Sequence, residues 1–411
     1  MTGKVLSIFA IGLILRLVYV LLVPQVEITS DAKGYSVLAY NLATEKGYEI
    51  APGKPDMYRP PGYPFFICAI YRIFGLGNVV AVRIVQSVLT ALMIPVVYLI
   101  AERIFNARVG LISAVITCFY PAFIGYSGYL SPQTVTAFLL PLFILSIIFF
   151  RGQIAESLGL GVLAGYACLV RSEQLLLFII LFFMLLSTGS PGKRVLRSVF
   201  IMAVAMLLVI SVWTFRNYKV SHRIIPISSH FGDTVWLSTW KEDWQEWHTS
   251  EEPLVSILKG RDFAEADRDL LKAGMNNLRE HPFIYLKMCC KRPFRFWLTG
   301  HSNIFYSMSD SLVNYLKKGD YLIFFSKLFL LLVNSVIVFL GFYGIRAAYR
   351  QVGRKRDLVR YLIMPVLFYA ISHFFTFATP RYSIPAMPFV IILASCSIVY
   401  FLSPGRNYDR E

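Results

Sequence analysis

The chain reads Ser30-Asp31-Ala32-Lys33-Gly34-Tyr35 and, about two dozen residues on, Tyr58-Arg59-Pro60-Pro61-Gly62-Tyr63-Pro64. Both motifs follow an apolar run at 5–23, so they fall where a first membrane-spanning helix meets water. One carboxylate and one guanidinium at that depth suit chemistry on a phosphate carried by a lipid, because guanidinium matches phosphate through two parallel hydrogen bonds. The pairing points to an enzyme rather than a pore.

Composition sets the class. Hydrophobic residues make up 56% of the 411 and charged residues 16%, against about a quarter charged in a soluble domain. Apolar runs lie near 5–23, 78–101, 109–128, 132–150, 157–170, 172–187, 197–215, 320–345, 360–378 and 384–403. This predicts an all-α polytopic membrane protein of about ten transmembrane helices. The runs at 157–170 and 172–187 are short for full crossings. The first run carries Arg16 and no small-residue cleavage pattern, so it reads as a retained helix rather than a signal peptide.

Charge sets the orientation. With the N-terminus inside, the inner loops carry Arg103 and Arg108, then Arg151, then Lys193, Arg194 and Arg197, and finally Arg346, Arg350, Arg354, Lys355, Arg356 and Arg360 against Asp357. Basic inner loops are what membrane insertion favours. They also account for the formal +16 charge without nucleic acid as a partner.

Three sections follow. Residues 1–215 form an N-terminal transmembrane module whose first external loop, 24–77, carries the chemistry. Residues 216–319 form an external, periplasmic segment, and 320–411 the C-terminal helices. In the first loop we expect helices lying on the membrane surface, anchored by Tyr58, Tyr63 and Tyr71. The second section is rich in Trp (236, 240, 244 and 247) and predicts helices over 264–279 and 282–297. The latter alternates apolar residues with Lys287, Lys291, Arg292 and Arg295, the pattern of an amphipathic helix on an anionic membrane. The six cysteines and six histidines form no metal-ligand or disulfide pattern, so neither a metal nor another cofactor is expected.

Each candidate also has a structural reading. Asp31 can cap a helix. Arg59 can anchor to headgroups, but two following prolines stiffen its backbone, which favours a phosphate ligand. Arg16 lies inside the first helix, where an arginine must snorkel or pair. Arg171 precedes Glu173 and can pair with it. Arg216 can complement the end of its helix, and Arg381 lies in a short turn between Pro380 and Pro385. Arg59, Arg171, Arg216 and Arg381 all fall on the outer face, where basic loops are not favoured, so the cluster calls for an anionic partner.

The ordered set of motifs resembles the GT-C superfamily of membrane glycosyltransferases, specifically glycosyltransferase family 39-like proteins such as protein O-mannosyltransferases and lipid A aminoarabinose transferases. The matching residues are Asp31-Ala32-x-x-Tyr35, Tyr58 to Pro64, Val82-Arg83-Ile84-Val85-Gln86, Tyr126 to Ser131, Leu169-Val170-Arg171-Ser172-Glu173, Arg216-Asn217-Tyr218, the stretch from Ile227-Ser228-Ser229 to Trp236, and Arg381-Tyr382-Ser383-Ile384-Pro385-Ala386-Met387-Pro388. The resemblance implies a sugar linked to polyprenyl phosphate, undecaprenyl phosphate in bacteria, transferred with inversion on the outer side of a bacterial or archaeal inner membrane. It implies catalysis or acceptor positioning by Asp31, donor phosphate at Arg59, and a cavity near Arg171 and Arg381. Tyr35, Tyr58, Tyr63, Tyr382, Arg216 and Arg16 are further candidate substrate contacts. In Ser131-Pro132-Gln133-Thr134 a glutamine stands where many relatives carry an acid, which puts the acceptor class in doubt.

The residues suggest the same mechanism. Phosphate leaves with its own negative charge, so cations that hold that charge in the transition state lower the barrier, and Asp31 is the base for the acceptor hydroxyl. The acceptor (protein, lipid or glycan) and the sugar are not readable. Alternatives are an oligosaccharide ligase or polymerase using a lipid-linked glycan, and a lipid or secondary transporter. Transporters show internal repeats and polar residues at the midplane, and neither is found here.

Overall fold

The computed structural model describes residues 3–402 apart from 26, 29, 188–191, 240–262, 306, 307, 309 and 352–355. Trp240, Trp244, Trp247, Arg354 and Lys355 therefore lie outside the described residues.

Seventeen α-helices form among the described residues: α1 (Gly3–Leu22), α2 (Ser30–Ala43), α3 (Gly62–Phe74), α4 (Val79–Ile104), α5 (Ala107–Phe119), α6 (Pro121–Gly128), α7 (Pro132–Ile148), α8 (Ile154–Val170), α9 (Gln174–Leu186), α10 (Lys193–Ser221), α11 (Phe231–Thr239), α12 (Phe263–Glu280), α13 (Pro282–Trp297), α14 (Leu312–Lys318), α15 (Tyr321–Gln351), α16 (Arg356–Phe375) and α17 (Met387–Leu402). One antiparallel hairpin, β1 (Glu49–Ala51) with β2 (Lys54–Pro55), sits in the first loop.

All ten expected apolar runs are helical. α1, α4, α10, α15 and α16 are long and apolar enough to cross a membrane, and α5 with α6 forms a sixth, bent by 45°. α7, α8, α9 and α17 are shorter, at 13–17 residues. α17 is apolar all round because it is enclosed by protein, buried without a break from Met387 to Ser397. It packs against α15, while α8 packs on α10 and α4 on α1, α5 and α7.

The bend between α5 and α6 explains Arg16. Pro121 has no N–H to give the carbonyl of Thr117. The Arg16 guanidinium fills the gap, donating to the carbonyls of Thr117 (3.0 Å), Cys118 (3.1 Å) and Gly12 (2.9 Å) and to Thr90 Oγ1 (3.2 Å). It is fully buried and completes a helix end inside the bundle.

One surface expectation is corrected. Tyr63 and Tyr71 are buried in protein rather than anchored in lipid: Tyr63 donates to Gln86 Oε1 (2.6 Å) and Tyr71 pairs with Ser36 (2.9 Å). Tyr58 is drawn inward in the same way, by Asp233. α13 also docks one face on the protein. Its Arg292 donates to the carbonyls of Phe374 and Ser238, and Tyr285 to that of Phe375 (2.6 Å). Only its other face, with Phe283, Leu286 and Phe294, stays exposed.

Candidate active site

Asp31 lies in the first turn of α2, and its carboxylate bridges two arginines. Oδ2 accepts from Arg381 Nη2 at 2.9 Å, and Oδ1 is 3.8 Å from Arg59 Nη2. Arg59 is held from behind by Asp56, which is fully buried. Asp56 accepts from the Arg59 backbone N–H (2.8 Å) and from Nη1 (3.3 Å). The rings of Tyr35 and Tyr58 flank the guanidinium at 5.9 and 5.5 Å.

Two glycines make this closeness feasible. A Cβ on Gly34 would stand 2.7 Å from the Arg59 guanidinium carbon, so the glycine leaves the room in which Arg59 lies across α2. A Cβ on Gly62 would stand 2.5 Å from the Val170 amide nitrogen. There the start of α3 meets the end of α8 backbone to backbone, and Tyr166 donates to the Gly62 carbonyl (3.1 Å). That contact brings Arg59, just before α3, to Arg171, just after α8.

Arg171 pairs with Glu173 and lies 4.9 Å over the Tyr382 ring, which also carries Arg381 at 5.3 Å. Behind it Tyr382 stacks on His373 at 4.8 Å. The result is a cavity of about 120 Å³ lined by Asp31, Tyr35, Tyr58, Arg59, Arg171, Glu173, His230, Arg381 and Tyr382, with Ser131, Gln133 and Ser172 among the remaining wall residues.

Asp31, Arg59, Arg171 and Arg381, which lie far apart in sequence, thus share one cavity, together with Tyr35, Tyr58 and Tyr382. Arg16, Arg216 and Tyr63 do not line it. Arg216 braces the first loop instead, donating to the carbonyls of Asp56 (2.8 Å) and Tyr48 (2.9 Å). Gln133 lines the cavity as a neutral group and accepts from the Ser131 hydroxyl.

The arginines are not unpaired cations, contrary to the reading of a cluster in need of an anion. Asp31, Asp56 and Glu173 match Arg59, Arg171 and Arg381 one for one. What the cluster has to spare is donors. Arg59 Nε and Arg381 Nε are buried with no hydrogen-bond partner among the described residues, and a buried unmatched donor costs about 1–3 kcal/mol until a ligand meets it.

Sequence reasoning missed three residues here. Asp56 looks like a surface loop acid, and only its spacing to Arg59 hints at a turn. Asp233 accepts from the Tyr58 hydroxyl at 2.6 Å, and its own backbone N–H donates to Asp267. Burial pushes its carboxyl up to about 6, with help from the nearby charges of Asp267 and Asp31 and opposed by the Tyr58 bond. His230 lines the cavity, and burial lowers its imidazole below the usual value. Among the described residues no cluster of His, Cys, Asp and Glu is placed to hold a metal.

Residues 58–215 match the family described as dolichyl-phosphate-mannose-protein mannosyltransferase. Curated protein sequences give no match. Among solved structures, the oligosaccharyltransferase of Archaeoglobus fulgidus is 14% identical with a TM-score of 0.57, over 97% of this chain and 51% of that one. ArnT from Cupriavidus metallidurans is 15% identical with a TM-score of 0.54, over 97% of this chain and 60% of its own. It has also been solved bound to undecaprenyl phosphate (TM-score 0.55). The chain therefore spans about half to three-fifths of the length of these relatives. The chain thus shares the fold of these two membrane enzymes over nearly its whole length, and its residues 58–215 resemble the mannosyltransferase family.

Proposed function

We propose that the protein transfers a single sugar from a polyprenyl-phosphate donor to an acceptor hydroxyl, with inversion, in the cavity around Asp31. The observation that carries this reading is the bridge of Asp31 to Arg381 and Arg59, each arginine keeping an unmatched Nε donor. The donor's phosphodiester, and the phosphate monoester left after transfer, supply the acceptors those donors lack. The phosphodiester also competes for the N–H groups that hold Asp31 and so releases the carboxylate.

The reaction then follows from these residues. The acceptor oxygen forms its bond to the sugar C1 from the side opposite the phosphate. The C1–O bond breaks with its electron pair going to phosphate, where Arg59 and Arg381, with Arg171 beside them, stabilise the growing charge. Asp31, released from the arginines, takes the acceptor proton. With the carboxylate still tied up before donor arrives, acceptor activation waits for donor binding. A cavity of about 120 Å³ is on the scale of the one sugar ring that reacts.

Orientation and donor class rest on charge and likeness. The basic loops with Arg103, Arg108, Arg151 and Lys193 lie at the helix ends opposite the cavity, so positive-inside insertion turns the cavity outward. Outside the cytoplasm, activated sugar comes on lipid, and the ArnT structure bound to undecaprenyl phosphate supports that donor class. Segment 216–319 adds His230 to the cavity wall and is the part we assign to acceptor choice.

The test is release of polyprenyl phosphate from synthetic polyprenyl-phosphate sugars by purified protein supplied with a mixed-acceptor extract. Release by wild type and none by Asp31→Asn supports the reading. Turnover by Asp31→Asn near wild type removes Asp31 from the mechanism.

A further inference from the structure

A buried transfer leaves one proton behind at each turnover, and the cavity wall holds a chain that fits its removal. Ser172 Oγ lies 2.7 Å from Ser228 Oγ, and Ser228 Oγ lies 2.8 Å from His230 Nδ1. Ser172 and His230, the two ends, both line the cavity, and Ser228 joins them. Neither hydroxyl is tied to a backbone carbonyl among the described residues. Each is therefore free to donate in either direction, as a hydroxyl in a proton relay must be. Serines in this protein otherwise point mostly to carbonyls, as Ser87, Ser113, Ser127 and Ser157 do.

We propose that His230, through Ser228 and Ser172, is the proton outlet of the active site. This rests on the transfer reaction proposed above. Once C1–O bond formation has moved the acceptor proton to Asp31, the carboxylate must lose it before Arg381 and Arg59 can pair with it again. The proton crosses the cavity that Asp31 and Ser172 both line to the Ser172 hydroxyl oxygen, as Ser172 gives its own to Ser228 and Ser228 gives its own to His230 Nδ1. The imidazole ends as the cation, the serines return to neutral hydroxyls, and Asp31 returns to carboxylate. His230, which itself lines the cavity, then releases the proton to water there once product has left.

The groups that face the imidazole fit that duty. Tyr58 packs edge-on at 6.0 Å from the first loop. Glu173 and Asp267 favour the cation, Arg171 opposes it, and burial opposes it most. The imidazole therefore rests neutral at pH 7, ready to accept, and a proton once taken is readily given up.

The experiment compares the dependence of kcat on pH for wild type, His230→Gln and Ser228→Ala, using a polyprenyl-phosphate sugar that wild type consumes. Thermal unfolding in detergent checks that each variant is folded. We expect kcat to fall about 10–100-fold in both variants, with donor KM within about twofold of wild type. We also expect His230→Gln to lose the imidazole's part of the acid limb, leaving only the part that belongs to the carboxylate base. Added imidazole should recover part of the His230→Gln rate. A folded His230→Gln enzyme with wild-type kcat and an unchanged acid limb overturns the proposal. A wild-type rate in Ser228→Ala overturns the relay. A wild type inactive on every donor would instead sink the transfer reading, so the two failures are distinct.

Discussion

Arg16, buried, and Arg381, half-buried, both lie far from the basic loops, yet they do opposite things. Arg16 has no acid beside it and spends its donors on the carbonyls of Thr117, Cys118 and Gly12 and on Thr90. Arg381 has an acid, Asp31, and keeps Nε unmatched. Arg59 repeats the second pattern, with Asp56 and Asp31 in contact and Nε unmatched. Arg216 repeats the first, donating to the carbonyls of Asp56 and Tyr48. Of these four, Arg16 and Arg216 hold backbone together, whereas Arg59 and Arg381, each beside a carboxylate with a spare Nε in the cavity wall, are the pair we assign to a ligand.

The largest effect expected from this contrast is at Asp31. Asp31→Asn should lower kcat by about 1,000-fold, the scale of a lost general base, while donor binding survives. Next, Arg381→Ala should lower kcat/KM by about 100-fold, with binding of polyprenyl phosphate weakened in a direct titration. Undiminished binding would move Arg381 into the class of Arg16. Gly34→Ala is subtler. Its new methyl meets the mobile end of Arg59 rather than backbone, so the melting temperature should hardly move while kcat/KM falls about tenfold.

Arg16→Met inverts that result. It strips hydrogen bonds from two buried carbonyls at about 1–3 kcal/mol each, so thermal stability in detergent drops, yet each folded molecule should transfer at close to the wild-type rate. A stable but inactive Arg16→Met would break the comparison.

The smallest effect concerns Asp233. Its carboxyl is raised to about 6 in the fold from an ordinary value near 4. The native state therefore holds a proton that the unfolded chain gives up between those values. By linkage, this contribution to stability is full below about pH 4, wanes as pH rises, and is gone above about 6. Asp233→Asn, which keeps an acceptor for Tyr58, should flatten that part of the melting-temperature profile. An unchanged slope would mean that Asp233 titrates normally.

Much of this architecture is legible in sequence, because helices that cross or fill a membrane are written as apolar runs. All ten runs are helices, down to the short ones at α8 and α9. The break at Pro121 was visible as a residue but not as a consequence, since the carbonyls it strands are met by Arg16 about a hundred residues away. The cavity arginines were legible because charge on the disfavoured face, next to prolines, needs a reason. Their acids were less so. Asp56 and Asp233 look like surface residues until the fold buries them. His230 fell inside the matching stretch from Ile227 to Trp236 but drew no reading of its own, because its meaning lies in two serines, one of them 56 residues away from the other. Tyr63 and Tyr71 misled for a related reason: tyrosines near a predicted interface look like lipid anchors, and only the packing of α2 on α3 shows protein on every side.

The central claim is that Asp31 is held by Arg381 and Arg59 until a phosphate takes its place. The most direct measurement is the binding of undecaprenyl phosphate to purified wild type, Arg381→Ala and Asp31→Asn. Because the carboxylate competes with phosphate for the same guanidinium N–H groups, Asp31→Asn should bind the lipid phosphate as tightly as wild type or up to about tenfold tighter, and Arg381→Ala about tenfold or more weaker. If Asp31→Asn binds more weakly than wild type, or Arg381→Ala binds equally well, the exchange of carboxylate for phosphate is wrong.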